Sequence, residues 1–410
     1  MAGGYNPGDI LIDDITVSSP RSGSWQAAPH CLSFDVFESI FAPAVLGSIE
    51  VLDDKDYLGK LKIAGDESVS LAFRTPTGMS VKYSFHLNSI KEVSVEGAMK
   101  AKVYKMECIS REALTGQGNQ VQKAYNTTID KIISDIHKNF HNSKLPIFTE
   151  PTKGPRKFVV TNQPSYHVIE NLRQEAVSTK NKGSNYMFWQ TWRGFYFWSL
   201  EYMLQQGDVK TFKQTNTVGH KFGTPVDNNI ISWQVKQNMD AMNRIHAGVV
   251  NQRVTTYDIH THKYVSQDFK IDDAALNVLG KGFITRMATF VALFANVNRT
   301  IHRIVNPDEK LKIGKSSVPA SIPYKQLNLA QMQEQLMNMT VIGDPKLEPG
   351  RTVTANVPKV TGLTGSSEAE PQMSGRWLIS KTHHEVRRPQ VRPRYVSHLE
   401  CLKGAYEEKM

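Results

Sequence analysis

The chain has 410 residues, a formal net charge of +10 and 40% hydrophobic residues. That length suits two to four domains, and the composition excludes collagen-like, disulfide-dense and wholly disordered classes. Cys31, Cys108 and Cys401 are an odd number of cysteines at wide spacing. They define neither a disulfide framework nor a metal motif, which fits folding in a reducing compartment with each thiol acting as a small buried hydrophobe.

Met1 to Gly8 is Gly-rich and lacks the basic and apolar regions of a signal peptide. Residues 1–112 read as all-β. Ile10 to Val17 alternates loosely, Leu32 to Phe37 and Ala42 to Leu52 are strand candidates, and Ser68 to Phe73 alternates with period two. Thr75-Pro76-Thr77-Gly78 is a turn by its Pro and Gly. Val81 to Ile90 and Val103 to Ser110 complete the set. Short strands with turn signals at such intervals suggest a barrel or a sandwich.

Residues 113–206 read as an α/β insert. Thr115 to Asn119 is expected to be a flexible lead-in. Ile129, Ile132, Ile133, Ile136 and Phe140 mark one face of a helix, with its cap at Asn126 or Thr127. Pro146 to Pro155 is a connection, and Lys157 to Val160 a short strand. Val168, Ile169, Leu172 and Ala176 predict a second amphipathic helix. A polar turn, Lys180 to Asn185, leads to two aromatic strands, Tyr186 to Gln190 and Gly194 to Leu200, joined by a hairpin at Thr191-Trp192-Arg193-Gly194.

Residues 207–257 return to β, with a turn at Phe222 to Pro225, a strand at Ile230 to Val235, and another at Ala247 to Tyr257 bulged near Gly248. Residues 258–335 form an excursion with an apolar stretch from Phe283 to Val297, loops at Pro307, Pro319 and Pro323, and the start of a Gln- and Met-rich helix, Leu327 to Asn338. Thr285, Arg286, Thr289 and Asn296 interrupt the apolar stretch, so no membrane span is expected. Residues 336–405 hold a turn and strand from Leu347 to Val357, a polar loop from Gly362 to Gly375, and strands Arg376 to Val386 and Tyr395 to Leu402.

Four of these segments resemble one family. The helix followed by an aromatic hairpin, Ser165 to Gln206, is similar to the small α/β insert of the baseplate hub proteins of contractile-tailed bacteriophages. The strand order of residues 1–112, closed by Tyr104 to Ser110, looks like that family's first tube-type β-barrel. The helix after Lys123-Ala124-Tyr125 has a counterpart in hub and late-control proteins of phage tails. Pro349-Gly350 with Val353, then Gly375, Trp377, Ile379-Ser380 and His384, then Tyr395 and Leu399 resemble the closing strands of its second barrel.

The resemblance implies a mainly β fold: a first barrel at 1–112, the insert at 113–206, a discontinuous second barrel at 207–257 and 336–405, and the excursion at 258–335. It also implies a non-enzymatic virion protein, made in the host cytoplasm and placed in the tail baseplate. Three copies would form a pseudo-sixfold ring joining a central spike to the tail tube or its initiator proteins. Baseplate wedge proteins would dock outside, and tape measure and DNA would pass through the lumen. The alternatives are a tail-associated peptidoglycan hydrolase and the hub of a contractile injection or secretion system.

The chemical signals are weak, and no catalytic, cofactor or metal residue is assigned. His260 and His262 could share one strand face with Asp258, but surface histidines are the simpler reading. His383 and His384 point to opposite faces of a strand and cannot hold one ion together. Gly314-Lys315-Ser316 lacks the first glycine of a phosphate loop, since Glu309 stands there. Asp13-Asp14, Asp53-Asp54 and Asp272-Asp273 are adjacent pairs, which point apart or lie in turns. A two-carboxyl hydrolase needs its acids facing each other across a cleft. Tyr186, Phe188, Trp189, Trp192, Tyr196 and Trp198 could stack sugars or bases, but such density is more often a core or an interface. The positive charge is spread out, as on a solvated surface with a basic rim. Its clearest cluster, Arg387, Arg388, Arg392 and Arg394, is expected to face acidic neighbours in an assembly.

Overall fold

Alternating side chains become sheet along the N-terminal part of the chain. The computed structural model describes residues 8–96, 101–180, 184–214, 228–237, 251–258, 262–270, 299–305, 325, 329, 332–333, 335–359, 369–370, 373–388 and 393–403. The first strands are β1 (Leu11–Ser19), β2 (Gly23–Gln26), β3 (Cys31–Ser39), β4 (Leu46–Asp53), β5 (Ser68–Arg74), β6 (Ser80–Glu96) and β7 (Ala101–Ser110). In β5 the period is plain: Val69, Leu71 and Phe73 are buried, while Ser68 and Arg74 are exposed. The short helix α1 (Tyr57–Lys60) starts where the Asp53 carboxylate accepts the N–H groups of Tyr57 and Leu58, at 2.9 and 3.0 Å.

The insert holds α2 (Arg111–Gly118), β8 (Gln120–Thr128), α3 (Ile129–Asn139), β9 (Ile147–Thr149), β10 (Pro155–Pro164), α4 (Ser165–Glu175), β11 (Tyr186–Thr191), β12 (Gly194–Ser199) and α5 (Leu200–Gln205). Four local expectations are corrected. Thr115 to Asn119 is the last turn and cap of α2. Its glycine lets a ring approach, for a Cβ on Gly116 would stand 2.5 Å from Tyr166 Cζ. The α3 cap is Thr128, whose side chain makes no capping bond, and Thr152 Oγ1 instead accepts the Asp130 N–H at 3.1 Å. The Pro146 to Pro155 connection contains β9, which pairs in parallel with β12. Leu200 opens α5, where Ser199 Oγ accepts the Tyr202 N–H at 3.2 Å.

The remaining strands are β13 (Asp208–Lys213), β14 (Ile230–Gln237), β15 (Asn251–Asp258), β16 (Lys263–Lys270), β17 (Arg299–Val305), β18 (Gln335–Ile342), β19 (Thr352–Asn356), β20 (Gly375–Arg387) and β21 (Arg394–Lys403). The helix expected to run to Asn338 stops short, because Gln335 already belongs to β18. There Gln335, Met337, Met339 and Val341 are buried alternately, a period of two that outweighs the helical propensity of Gln and Met. The sequence groups β15 with the strands on either side of the excursion, and the structure does not. The partners of β15 are β16 and β17, both from the excursion, in a separate three-stranded sheet. The turn at 222–225, the bulge at Gly248, the apolar stretch 283–297 and the prolines at 307, 319 and 323 lie outside the described residues. Among the described residues no helix is long and apolar enough to cross a membrane.

The fold is mainly antiparallel β. One 13-stranded sheet runs β14-β18-β21-β20-β3-β4-β7-β6-β5-β1-β2, with β19 and β13 branching from β20. It curls back on itself twice. On one side, Asp9 before β1 bridges Arg394 of β21, and the Tyr395 N–H donates to Gly8 O at 2.9 Å. On the other, Lys213 at the end of β13 bridges Asn229 before β14. Each closure wraps a core. The first is built from Phe34, Ile49, Leu71, Phe73, Phe85 and Tyr104. The second contains Phe212, Met337, Val353, Trp377, Leu399 and Cys401. β20 and β21 serve both, since their Val386 and Tyr395 ends enter the first core.

The aromatic hairpin is buried on both faces, which explains its nearly unbroken hydrophobic sequence. Tyr186, Phe188, Phe195 and Phe197 join Ile132, Ile133 and Ile136 of α3 and Leu172 of α4 inside the insert. Met187, Trp189, Tyr196 and Trp198 pack on Ile40, Leu378 and Leu402 of the large sheet. Trp189 and Tyr196 stack with centroids 5.2 Å apart. The hairpin thus fastens the insert to the seam between the two closed lobes.

Candidate functional site at the seam

Two groups of polar residues gather at this seam, one beneath the hairpin and one on the outer face of the sheet. Beneath the hairpin, Glu38 Oε1 accepts the Trp192 N–H at 2.9 Å and the Tyr83 hydroxyl at 3.1 Å. Arg193 Nε stands 2.6 Å from Glu348 Oε1, and the Tyr196 hydroxyl donates to Glu348 Oε2 at 3.4 Å. Trp189 Nε1 and Trp192 Nε1 donate to Pro349 O and Pro345 O at 3.2 and 3.1 Å. Gly350 follows with φ +85, and a Cβ there would meet Trp189 Cζ2 at 2.4 Å.

Both carboxyls are 1% exposed. Burial, with the nearby Glu348, pushes the Glu38 carboxyl up to about 8. Burial also raises Glu348, and Arg193 and Arg351 limit the rise to about 7. Raised carboxyls are acid–base candidates in an open cleft. Here they lie sealed beneath Trp192 and Tyr196, so their chemistry is that of a buried clamp between elements.

On the outer face, a groove of about 560 Å³ runs across the seam. Phe37 of β3, Trp233 of β14, Thr340 of β18, His383 of β20 and His398 of β21 line it. His383 and His398 are direct cross-strand partners, and their rings stack at 5.0 Å. Glu385 lies on the same face, with Oε2 2.7 Å from His398 Nε2. Asp35 Oδ1 stands 2.8 Å from His383 Nε2. Burial would raise the Asp35 carboxyl, but the His383 hydrogen bond and the Arg387 guanidinium hold it below the usual carboxylate range.

Residues singled out in the sequence fare differently. His383 and His384 do point apart: His384 is buried, with Nδ1 2.8 Å from the Tyr395 hydroxyl. His262 sits in the turn between β15 and β16, next to the Tyr257 hydroxyl at 3.0 Å, and His260 lies outside the described residues. Asp13 pairs with Arg74 at 2.7 Å, and Asp14 accepts hydroxyls from Thr16 and Ser70 at 2.5 and 2.8 Å. Asp53 caps α1, and Asp54 lies 3.5 Å from His30. Glu309, Gly314 to Ser316 and Asp272-Asp273 lie outside the described residues. The aromatic cluster has no open ring face for a sugar or base at Tyr186, Phe188, Trp189, Tyr196 or Trp198, all of which are buried.

The basic cluster is corrected in part. Arg387 pairs with Asp35 at 3.2 Å and with Glu385 at 2.8 Å, and Arg388 donates to Ala28 O at 2.9 Å. Those two cations are engaged inside the chain. Arg392 lies outside the described residues. Sequence reasoning missed Glu38, Glu348, Asp35, Glu385 and His398. Each gains its surroundings from a strand or loop far away in the chain, and no local pattern marks it.

No protein-family model matches the sequence, and no curated protein matches it. Solved structures do match. A tail protein from Neisseria meningitidis MC58 superposes with a TM-score of 0.58 at 11% identity, covering 95% of this chain and 96% of that one. The 43 kDa tail protein of prophage MuSo2 from Shewanella oneidensis gives 0.54 at 9% identity, covering 95% and 98%. At such identities the likeness is one of fold. The chain shares its fold with these two tail proteins over nearly its whole length.

Proposed function

We propose that this chain is a structural baseplate hub subunit of a contractile tail, three copies of which form a ring between a central spike and the tail tube. The observation that carries the reading is the near end-to-end match in fold to two tail proteins, one of them from a prophage. The twice-closed sheet supports it, because one chain with two barrel-like lobes can present six similar units from three copies. In this reading the lobes are tube-type barrels, one within 1–112 and one built from β13 and β14 with 336–405, β15 standing apart in its own sheet, and the 113–206 insert braces the seam. The excursion faces outward toward wedge proteins, and tape measure and DNA pass through the bore. The work is geometric, converting threefold into near-sixfold symmetry, and needs no catalysis.

Light scattering of the purified chain, alone and with its cognate spike, tests the reading, followed by negative-stain imaging. The expected result is a mass of three chains and a ring of six similar lobes. A single-chain mass in both samples overturns it, as does a peptidoglycan-clearing activity in a single-chain globule.

A further inference from the structure

The outer face of the seam carries a second property, independent of how copies assemble. We infer that His383, Glu385 and His398 form a binding site for one divalent transition-metal ion, zinc above all. Their ligand atoms all lie within 4.8 Å of one another. Two imidazoles and one carboxylate are a donor set that suits zinc, which takes four ligands in a tetrahedron and needs no particular order of them along the chain. His398 Nε2 and Glu385 Oε2 stand 2.7 Å apart. Tetrahedral zinc with bonds of about 2.0–2.1 Å separates its ligand atoms by about 3.3 Å. Opening that pair slightly and drawing His383 toward it lets an ion replace the hydrogen bond.

The sheet pre-organises the three groups. His383 and His398 face each other across an antiparallel pair, and Glu385 follows His383 by one full strand period on the same face. The surroundings supply the outer hydrogen bonds that orient metal ligands. Asp35 Oδ1 holds His383 Nε2 at 2.8 Å, and Thr340 Oγ1 holds His398 Nδ1 at 3.0 Å. Arg387 Nε takes the other Glu385 oxygen at 2.8 Å, which leaves Oε2 for the ion. Phe37 stacks on His383 at 4.3 Å and limits its rotation. Both imidazoles line the groove, so water can complete the tetrahedron from that side.

The consequence is mechanical. Asp35 belongs to β3, His383 and Glu385 to β20 and His398 to β21, the place where the two closed parts of the sheet meet. An ion there fastens β20 to β21 at the seam, and an ion that binds only the folded chain raises its stability with concentration.

The test uses the full chain and the metal alone. Zinc is titrated against a chromogenic chelator, with cobalt absorption as a second readout of tetrahedral geometry. The expected result is one tight equivalent per chain, tetrahedral cobalt bands and a raised melting temperature. The His383→Ala/His398→Ala double variant should lose the tight equivalent, and Asp35→Asn should weaken it by roughly 10- to 100-fold, as for other groups that orient ligands. Unchanged zinc affinity in a folded double variant overturns the inference. Should that variant not fold, Glu385→Gln takes its place, and octahedral cobalt spectra from the unaltered chain overturn the inference equally.

Discussion

The Glu38 carboxyl oxygen Oε1 accepts the backbone N–H of Trp192, 154 positions further along the chain, at 2.9 Å. The bond joins β3 of the large sheet to the tip of the aromatic hairpin. Its strength depends on a carboxyl that burial holds largely protonated at neutral pH. The docking of the insert is therefore sensitive to pH.

The sign follows from proton binding. Glu38 titrates near 8 in the fold and near 4.5 when exposed, so between these values the folded chain holds a proton that the unfolded chain has lost. Stability contributed by this group is full below 4.5 and falls as pH rises toward 8. Glu348 adds a parallel loss that ends near 7. Glu38→Gln keeps an oxygen acceptor for Trp192 and removes the charge. Urea midpoints taken from pH 5 to 8 should decline less steeply in the variant, and identical slopes would refute the assignment.

His384 acts in the opposite sense. Burial, together with the neighbouring His383, lowers it from 6.5 to about 3, and its Nδ1 lies near the hydroxyls of Tyr395 and Ser397. The unfolded chain takes up a proton first, so stability is lost as pH falls below 6.5 toward 3. Burial lowers His141 to about 3 as well, with the same sign. His384→Gln should be less stable at pH 7.5, where it loses a fitted ring. Its deficit relative to the unaltered chain should shrink at pH 5, and a constant deficit would count against a neutral buried imidazole.

Two glycines of α2 give a matched pair. A Cβ on Gly116 would stand 2.5 Å from Tyr166 Cζ, whereas one on Gly118 would meet nothing within 4 Å. Tyr166 cannot easily retreat, because its hydroxyl donates to Pro43 O at 2.9 Å and to Glu112 O at 3.0 Å. Gly116→Ala should destabilise by about 1–3 kcal/mol through overpacking. Gly118→Ala should be neutral or stabilising by up to about 1 kcal/mol, through helix propensity. Chemical denaturation of the two variants decides, and equal effects would mean that the Tyr166 contact is not tight.

Much of the fold was legible because much of it is local. The alternation of Val69, Leu71 and Phe73 and the isoleucine face of α3 each appear in a few consecutive residues. So does the hairpin, whose Thr191↔Gly194 register the loop between its strands sets. Where local signals misled, tertiary contact was the cause. Gly116 reads locally as part of a lead-in, but Tyr166 packs on it, and Met337 reads as helical, but its strand lies in a core.

The sequence by itself determined which stretches alternate, which turn, and that no familiar catalytic motif is present. Only the tertiary structure decided that β20 pairs with β3, and so that Asp35 reaches His383 across 348 positions. The physical reason is that backbone hydrogen bonds between strands are nearly the same for every residue type. Strand partnership is therefore chosen by the burial of whole faces rather than by any short motif. The proton affinities of Glu38 and His384 depend in the same way on desolvation by distant parts of the chain, a property that no single segment carries.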